Sequence, residues 1–135
     1  ANILHVCAAY PLTNIVVLTY SKSLRLETAN RIKALKLNNA SVFTYHAFGV
    51  RYYHNECFTD KVMLDILSKN MKPIQEFKFD LLILDESQDI TPNYYMFIHK
   101  IIRDNSIADV KLLVLGDSWQ SIYDFNFIGV RMIFV

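Results

Sequence analysis

Short aliphatic runs recur along the chain, at Ile15–Thr19 (IVVLT), 41–45 (SVFTY), Leu81–Leu84 (LLIL) and 111–115 (KLLVL), and stretches of helical period lie between them. The LLIL run is apolar on both faces and too short for a helix, the pattern of a buried parallel strand. The intervening stretches predict helices. Ser21 or Ser23 caps one that runs to about Leu37, with Leu26, Ala29, Ile32 and Leu35 as its buried stripe and Asn38 and Asn39 as its end. Residues 46–55 are helical or irregular. Thr59 caps a helix through Ser68 that turns Val62, Met63, Ile66 and Leu67 inward. Thr91 followed by Pro92 is an N-cap with proline at the first helical position, and the helix beyond it packs Tyr94, Phe97, Ile98, Ile101 and Ile102 before ending near Asp104 or Asn105. Residues 1–9 carry an apolar helical face that Pro11 stops, and 70–78, with Pro73, form a loop into the LLIL strand.

Strands alternating with helices at this spacing predict a parallel sheet with crossover helices, an α/β layer fold. No repeat, low-complexity tract or linker divides the chain, so it reads as one compact unit. In such a sheet the loops after Leu18, Phe43, Leu84 and Leu115 emerge on one rim. These are TYSKS, TYHAFG, DESQD and GDSWQSIYDF, so the rim gathers the polar residues of the chain.

Composition narrows the class. The 135 residues make one domain at most, and 53% hydrophobic with 20% charged is the balance of a soluble, well-packed protein. No apolar run reaches membrane-spanning length, and the amino end does not read as a signal peptide. The chain starts at Ala1 without a lead-in, as a fragment or a processed chain would. With 14 basic against 13 acidic residues, no global field draws nucleic acid. Locally, Lys22, Arg25, Arg31, Lys33 and Lys36 face one acid, Glu27, and form either a solvated helix face or one that meets phosphates. Cys7 and Cys57 are far apart and lack metal-ligand spacing, and His5, His46, His54 and His99 form no ligand pattern. The expectation is an intracellular protein with reduced thiols and no structural metal.

The chemistry centres on FDLLILDESQDI, Phe79 to Ile90. Acids at the carboxyl end of a buried parallel strand stand where open α/β sheets place ligands. One reading is a Walker B strand, with Asp85 holding Mg²⁺ on a nucleotide and Glu86 orienting or deprotonating the attacking water. The other is a core strand followed by a polar, helix-capping loop, in which Asp89 ties down its turn through backbone amides.

DESQD after LLIL, followed by GDSWQSIYDF after LLVL, resembles motifs II and III of UvrD/Rep-like superfamily 1 helicases. LTYSKSLRLETANRI resembles motif Ia and TYHAFG the next motif, in the family's order, so the resemblance runs from Ile15 to about Phe125. It implies a RecA-like P-loop NTPase sheet flanked by helices, the first motor domain of an enzyme that hydrolyses ATP while translocating on single-stranded DNA. By position, Asp85 would bind Mg²⁺, Glu86 would be the catalytic carboxylate, and Gln120 would sense the γ-phosphate and couple it to the DNA side. Tyr20, Tyr123 and Phe125 would stack on bases, with Thr44, Tyr45 and His46 along the DNA path. Tyr20, Tyr123 and Phe125 read on their own also fit core aromatics, and His46 a hydrogen-bonded structural histidine.

The family's phosphate-binding loop, GxGKT or GxGKS, is not in this sequence, and its FRGA reads here as FNFIG, with Asn126 at the arginine. The resemblance therefore implies residues 1–135 as a partial ATP-binding domain, without the phosphate-loop strand expected beside the 111–115 strand and without the second motor domain. The sheet edge beside that strand should then be open. An alternative is a non-catalytic, degenerate helicase-like module that keeps its aromatic stacking residues. A third is another ATPase or α/β domain whose DE pair serves a different cargo.

Overall fold

A computed structural model describes Ala9, residues 13–85, 90–107 and 110–114, and the backbone of 131–134. The elements are β1 (Ile15–Thr19), α1 (Lys22–Ala34), β2 (Ala40–Thr44), α2 (Tyr45–Tyr52), α3 (Asp60–Ser68), β3 (Leu81–Leu84), α4 (Pro92–Asp104), β4 (Lys111–Val114) and β5 (Arg131–Phe134). The strands form one parallel sheet in the order β2-β1-β3-β4-β5. The segment 1–8 and the residues after Val114 up to 130 lie outside the described residues, so the predicted amino-terminal helix does too.

The central strand β3 is buried along its whole length. Its side chains alternate between two cores. Leu82 and Leu84 join Leu18, Leu112 and Val114 in the core that α2, α3 and α4 cover, and Leu81 and Ile83 join Ile15, Val17, Val42 and Leu113 against Ile32 of α1. Each fully buried aliphatic side chain contributes about 1.5–3 kcal/mol, so these four positions admit little but hydrocarbon. The chain entering β3 is also pinned. The buried Asn105 amide accepts from the Phe79 N–H at 3.0 Å and donates to the Phe79 carbonyl at 2.9 Å, standing in for a neighbouring strand.

Every described helix starts on a side-chain cap. Ser21, Thr44, Thr59 and Thr91 accept from the N–H of Leu24, Ala47, Val62 and Tyr94. Helices α3 and α4 follow the predicted faces, with Met63, Ile66, Tyr94, Phe97, Ile98, Ile101 and Ile102 buried. Helix α1 does not. Leu26 is 54% and Leu35 58% exposed, and only Ile32 is buried. The two leucines are nine residues apart, and at about 100° per residue they lie half a turn from one another, so an every-third stripe cannot face one sheet. The helix also stops early. Leu37 N–H bonds to the Ile32 carbonyl and Lys36 N–H to that of Lys33, with Lys36 at φ 55°, a Schellman ending that needs no asparagine.

Two further expectations are corrected. The 41–45 strand is displaced by one residue, because Thr44 caps α2 and makes Tyr45 its first residue. The edge beside β4 is not open: β5 pairs with it in register Lys111↔Arg131 through Val114↔Phe134. The RMIF run supplies the apolar, β-favouring residues, and the segment 115–130 is long enough for the crossover a parallel pair requires.

Behind the sheet, Lys100 is 1% exposed and is held by the Asp104 carboxylate at 3.1 Å, the Asn70 side-chain oxygen at 2.9 Å and the Tyr53 ring. Tyr53 donates to the same carboxylate at 2.7 Å, which ties α2 to α4. Close packing continues at Gly49 of α2. A Cβ there would meet Cys57 Sγ at 2.5 Å.

Gly49→Ala should therefore destabilise the protein by about 1–3 kcal/mol in denaturant melts despite the better helix propensity of alanine, and adding Cys57→Ala should recover part of the loss. Burial and the bond to Asp104 raise the Tyr53 pKa above its ordinary 10, and burial, then Asp60, pushes the Cys57 thiol from 9 up to about 11. Both groups ionise more readily unfolded, so the Cys57 contribution is complete below pH 9 and is lost as pH rises from 9 to about 11, while that of Tyr53 starts to fall at pH 10 and goes on falling above it. Thermal melts across that range should show a falling Tm, and Tyr53→Phe with Cys57→Ala should flatten the decline relative to its own neutral-pH value.

Candidate functional site at the carboxyl rim of the sheet

The parallel register puts the strand ends level. Thr19 pairs with Thr44, Leu18 with Leu84, and Leu84 with Val114. Asp85 follows directly, its N–H donating to the Leu18 carbonyl at 2.9 Å. Thr44, Thr19 and Asp85 thus stand side by side on β2, β1 and β3. This is the rim the loop order predicts.

Between the first turns of α1 and α2 the rim opens into a groove of about 490 Å³, lined by Tyr20, Lys22, Arg25, Phe43, Thr44, His46, Ala47, Val50, Arg51 and Phe58. Tyr20 is 51% and Phe58 70% exposed, large aromatic faces left in water. Three cations, Lys22, Arg25 and Arg51, stand around them, and Arg25 Nε is buried with no hydrogen-bond partner among the described residues. His46 Nε2 is 2.9 Å from Asp60 Oδ1, so this lining residue brings an engaged acid to the edge of the groove. Two helix amino termini also end here, adding partial positive charge. The groove suits a chain of anionic groups carrying flat apolar rings.

The basic run of α1 is divided by this geometry. Lys22 and Arg25 line the groove, Arg31 pairs with Glu27 at 2.7 Å on the surface, and Lys33 and Lys36 border a separate hollow beside β2. It is not one continuous face.

Of the residues expected at the site, Tyr20, Thr44 and His46 line the groove. Thr44 is buried, and its hydroxyl accepts from the Ala47 N–H at 3.1 Å, so it shapes the groove as the cap of α2. Tyr45 does not line it. Its ring is 2% exposed and stacks on Tyr94, with centroids 4.5 Å apart and planes 8° apart. Burial, then the neighbouring Tyr94 and Asp85, raises the Tyr45 pKa, which keeps its hydroxyl a proton donor. Tyr94 in turn meets Tyr20 edge-on at 6.0 Å and His46 at 5.7 Å. Asp85 is partly buried at the rim; Glu86, Asp89, Asp117, Gln120, Tyr123 and Phe125 lie outside the described residues.

Phe58 and Arg51 were not legible as site residues. An aromatic immediately before an N-cap such as Thr59 reads as a hydrophobic staple, and here Phe58 instead stays in solvent. Arg51 sits in a helix whose pattern said nothing of a groove.

Residues 63–133 match the family model for the UvrD/REP helicase N-terminal domain, a stretch covering β3, α4 and β4 and most of α3 and β5. The chain belongs to this UvrD/REP helicase family. The α/β sheet, parallel with helices on both faces, is a RecA-like arrangement. The matched stretch includes Asp85 and ends within β5, while the groove residues from Tyr20 to Phe58 precede it. No curated protein matches the chain. Among solved structures, a flavoprotein in complex with FMN from Lactobacillus acidophilus NCFM is similar over 91% of both chains, at 13% identity and a TM-score of 0.46, too loose a likeness to bear on function. Among the described residues of this UvrD/REP-type domain, no helix is long and apolar enough to cross a membrane.

Proposed function

We propose that this chain is part of the first motor domain of an ATP-dependent helicase or translocase. In this reading the α1–α2 groove holds single-stranded DNA, and Asp85 and Glu86 serve the nucleotide. The observation that carries it is the joint position of two features on one rim, a UvrD/REP-type strand ending in Asp85 and a groove of exposed aromatics among three cations. Sequence-neutral travel along a strand needs ring faces, because every base has a π surface, and cations for the phosphates between them.

Tyr20 and Phe58 take bases, Lys22, Arg25 and Arg51 take phosphates, and Thr44 and His46 fix the wall of the groove. Tyr123 and Phe125 extend the stacking surface. The Asp85 carboxylate at a strand end, level with the buried Thr19, fits a hard cation held jointly with phosphate oxygens. Mg²⁺–ATP would supply the phosphoryl group and neutralise charge as it transfers. Asp85 would hold the ion, Glu86 would orient the attacking water and accept its proton, and Gln120 would relate the phosphate end to the DNA side. The remainder of the motor, with a phosphate loop and a second motor domain, is the partner this reading requires.

A second reading is a helicase-like module that binds nucleic acid without hydrolysis, which the groove of aromatics and cations also fits because it needs no nucleotide to hold a strand. The two readings share the groove and differ at Glu86.

Tyr20→Ala or Phe58→Ala should weaken binding of a labelled oligo(dT) by about 1–3 kcal/mol for each stacking ring removed, measured by fluorescence anisotropy. Exchanging Arg25 and Arg51 for Gln should flatten the salt dependence by about 0.7 in the log–log slope for each phosphate left without its cation. Unchanged affinity in all four variants would remove the groove from the DNA path. The 135-residue chain by itself should show no DNA-stimulated ATPase. In the intact protein, Glu86→Gln should abolish hydrolysis while ATP still binds, and hydrolysis that survived would favour the non-catalytic role for this residue.

A further inference from the structure

Strand β2 has β1 on one side and, among the described residues, no strand on the other. The register fixes which backbone groups face that free side. Ile15 stands opposite Ala40 and its N–H donates to the Asn39 carbonyl at 2.8 Å, and Val17 stands opposite Val42 in the same phase. A parallel ladder of this phase spends the backbone groups of Ser41 and Phe43 on β1 and turns the N–H and C=O of Ala40 and Val42 outward. Those outward groups have no partner among the described residues. Such an edge is a template for a further strand, and proteins commonly blunt it with a proline, a charge or a bulge within the strand. ASVFT has none of these and pairs with β1 without a break. The charge stands beside it instead. Between β2 and the last turn of α1 is a hollow of about 590 Å³, walled by Ile32, Leu37 and Val42 and bordered by Lys33 and Lys36. No acid lines it, and neither lysine has an ion pair among the described residues. A second copy of β2, paired antiparallel, would bring these lysines together on one face of the joint. An acidic strand would meet them with opposite charge.

We propose that the free edge of β2 is a docking site for an extended acidic segment of another protein, which joins the sheet as an added strand. Its backbone bonds to the outward groups of Ala40 and Val42. Its side chains alternate between the two faces of the sheet. One set enters the hollow on the α1 face, where carboxylates reach Lys33 and Lys36, and the other passes Phe43 on the opposite face. The hollow borders the last turn of α1 and the rim groove its first, and the two share no lining residue, so this site stands apart from the proposed DNA path.

The test uses the intact protein and short labelled peptides, with Kd measured by fluorescence anisotropy. One peptide alternates valine and glutamate, a second alternates valine and lysine, and a third is the acidic peptide N-methylated along its backbone, which keeps the charge and removes every ladder donor. The acidic peptide should bind saturably and less tightly as salt rises, the basic one should not bind, and N-methylation should weaken binding about tenfold or more, the loss of a net hydrogen bond or two. Lys33→Glu with Lys36→Glu should weaken the acidic peptide about tenfold, two surface ion pairs being exchanged for repulsion, and leave Tm unchanged. Ala40→Pro removes an outward donor without touching the β1 ladder and should also weaken the acidic peptide. The N-methylated peptide tests the same backbone bonds with the protein unaltered. No saturable binding of the acidic peptide up to about 1 mM, equal binding of the basic or the N-methylated peptide, or full affinity in the lysine double variant would each overturn the proposal. So would a dimer of the intact protein that Ala40→Pro dissociates, because a second copy would then hold the edge.

Discussion

The parallel register of β2, β1, β3 and β4 is the constraint on which the rest of the molecule depends. Because all four strands run the same way and start level, their carboxyl ends lie along the same rim. The alignment is held from both sides. The inner residues of β3 pack into two separate cores, and a slip of one residue would exchange every side chain between them. The position of Asp85 is a consequence: it is the first residue past the buried run, still tied to β1 by its N–H.

The helices then determine what the rim contains. Thr44 ends β2 and caps α2 in the same step, so no loop separates strand from helix, and His46, Ala47, Val50 and Arg51 rise directly beside the end of β1. Ser21 does nearly the same for α1, which brings Lys22 and Arg25 to the opposite wall. The groove is thus a product of two abrupt strand-to-helix turns. Its aromatic floor belongs to a wider system of rings, in which Phe48, Phe77, Tyr53 and Phe97 fill the core beneath α2 and α4 while Tyr45 and Tyr94 stand between that core and the rim. Rings are stiff and keep their edges and faces in defined contact, so the core and the groove are mechanically joined.

Family membership and groove chemistry bear on different parts of the chain. The UvrD/REP match falls on the half that carries Asp85, whereas the exposed aromatics and cations lie on the half before it. Their convergence at one rim is a property of the fold.

The sequence by itself determined the alternation of strands and helices, the burial of LLIL, the caps at Thr59 and Thr91, and the inward faces of α3 and α4, because each rests on local periodicity or a single side-chain-to-backbone bond. It also determined that the acids follow the central strand. Only the tertiary structure decided that Leu26 and Leu35 stay in water, that Asn105 pairs with Phe79 in place of a strand, and that β5 closes the edge beside β4. Those outcomes turn on which surfaces meet, and a distant partner leaves no mark in local pattern. The same holds for Tyr45: its spacing marks it as part of a polar loop, and only the tertiary structure buries its ring in a stack on Tyr94.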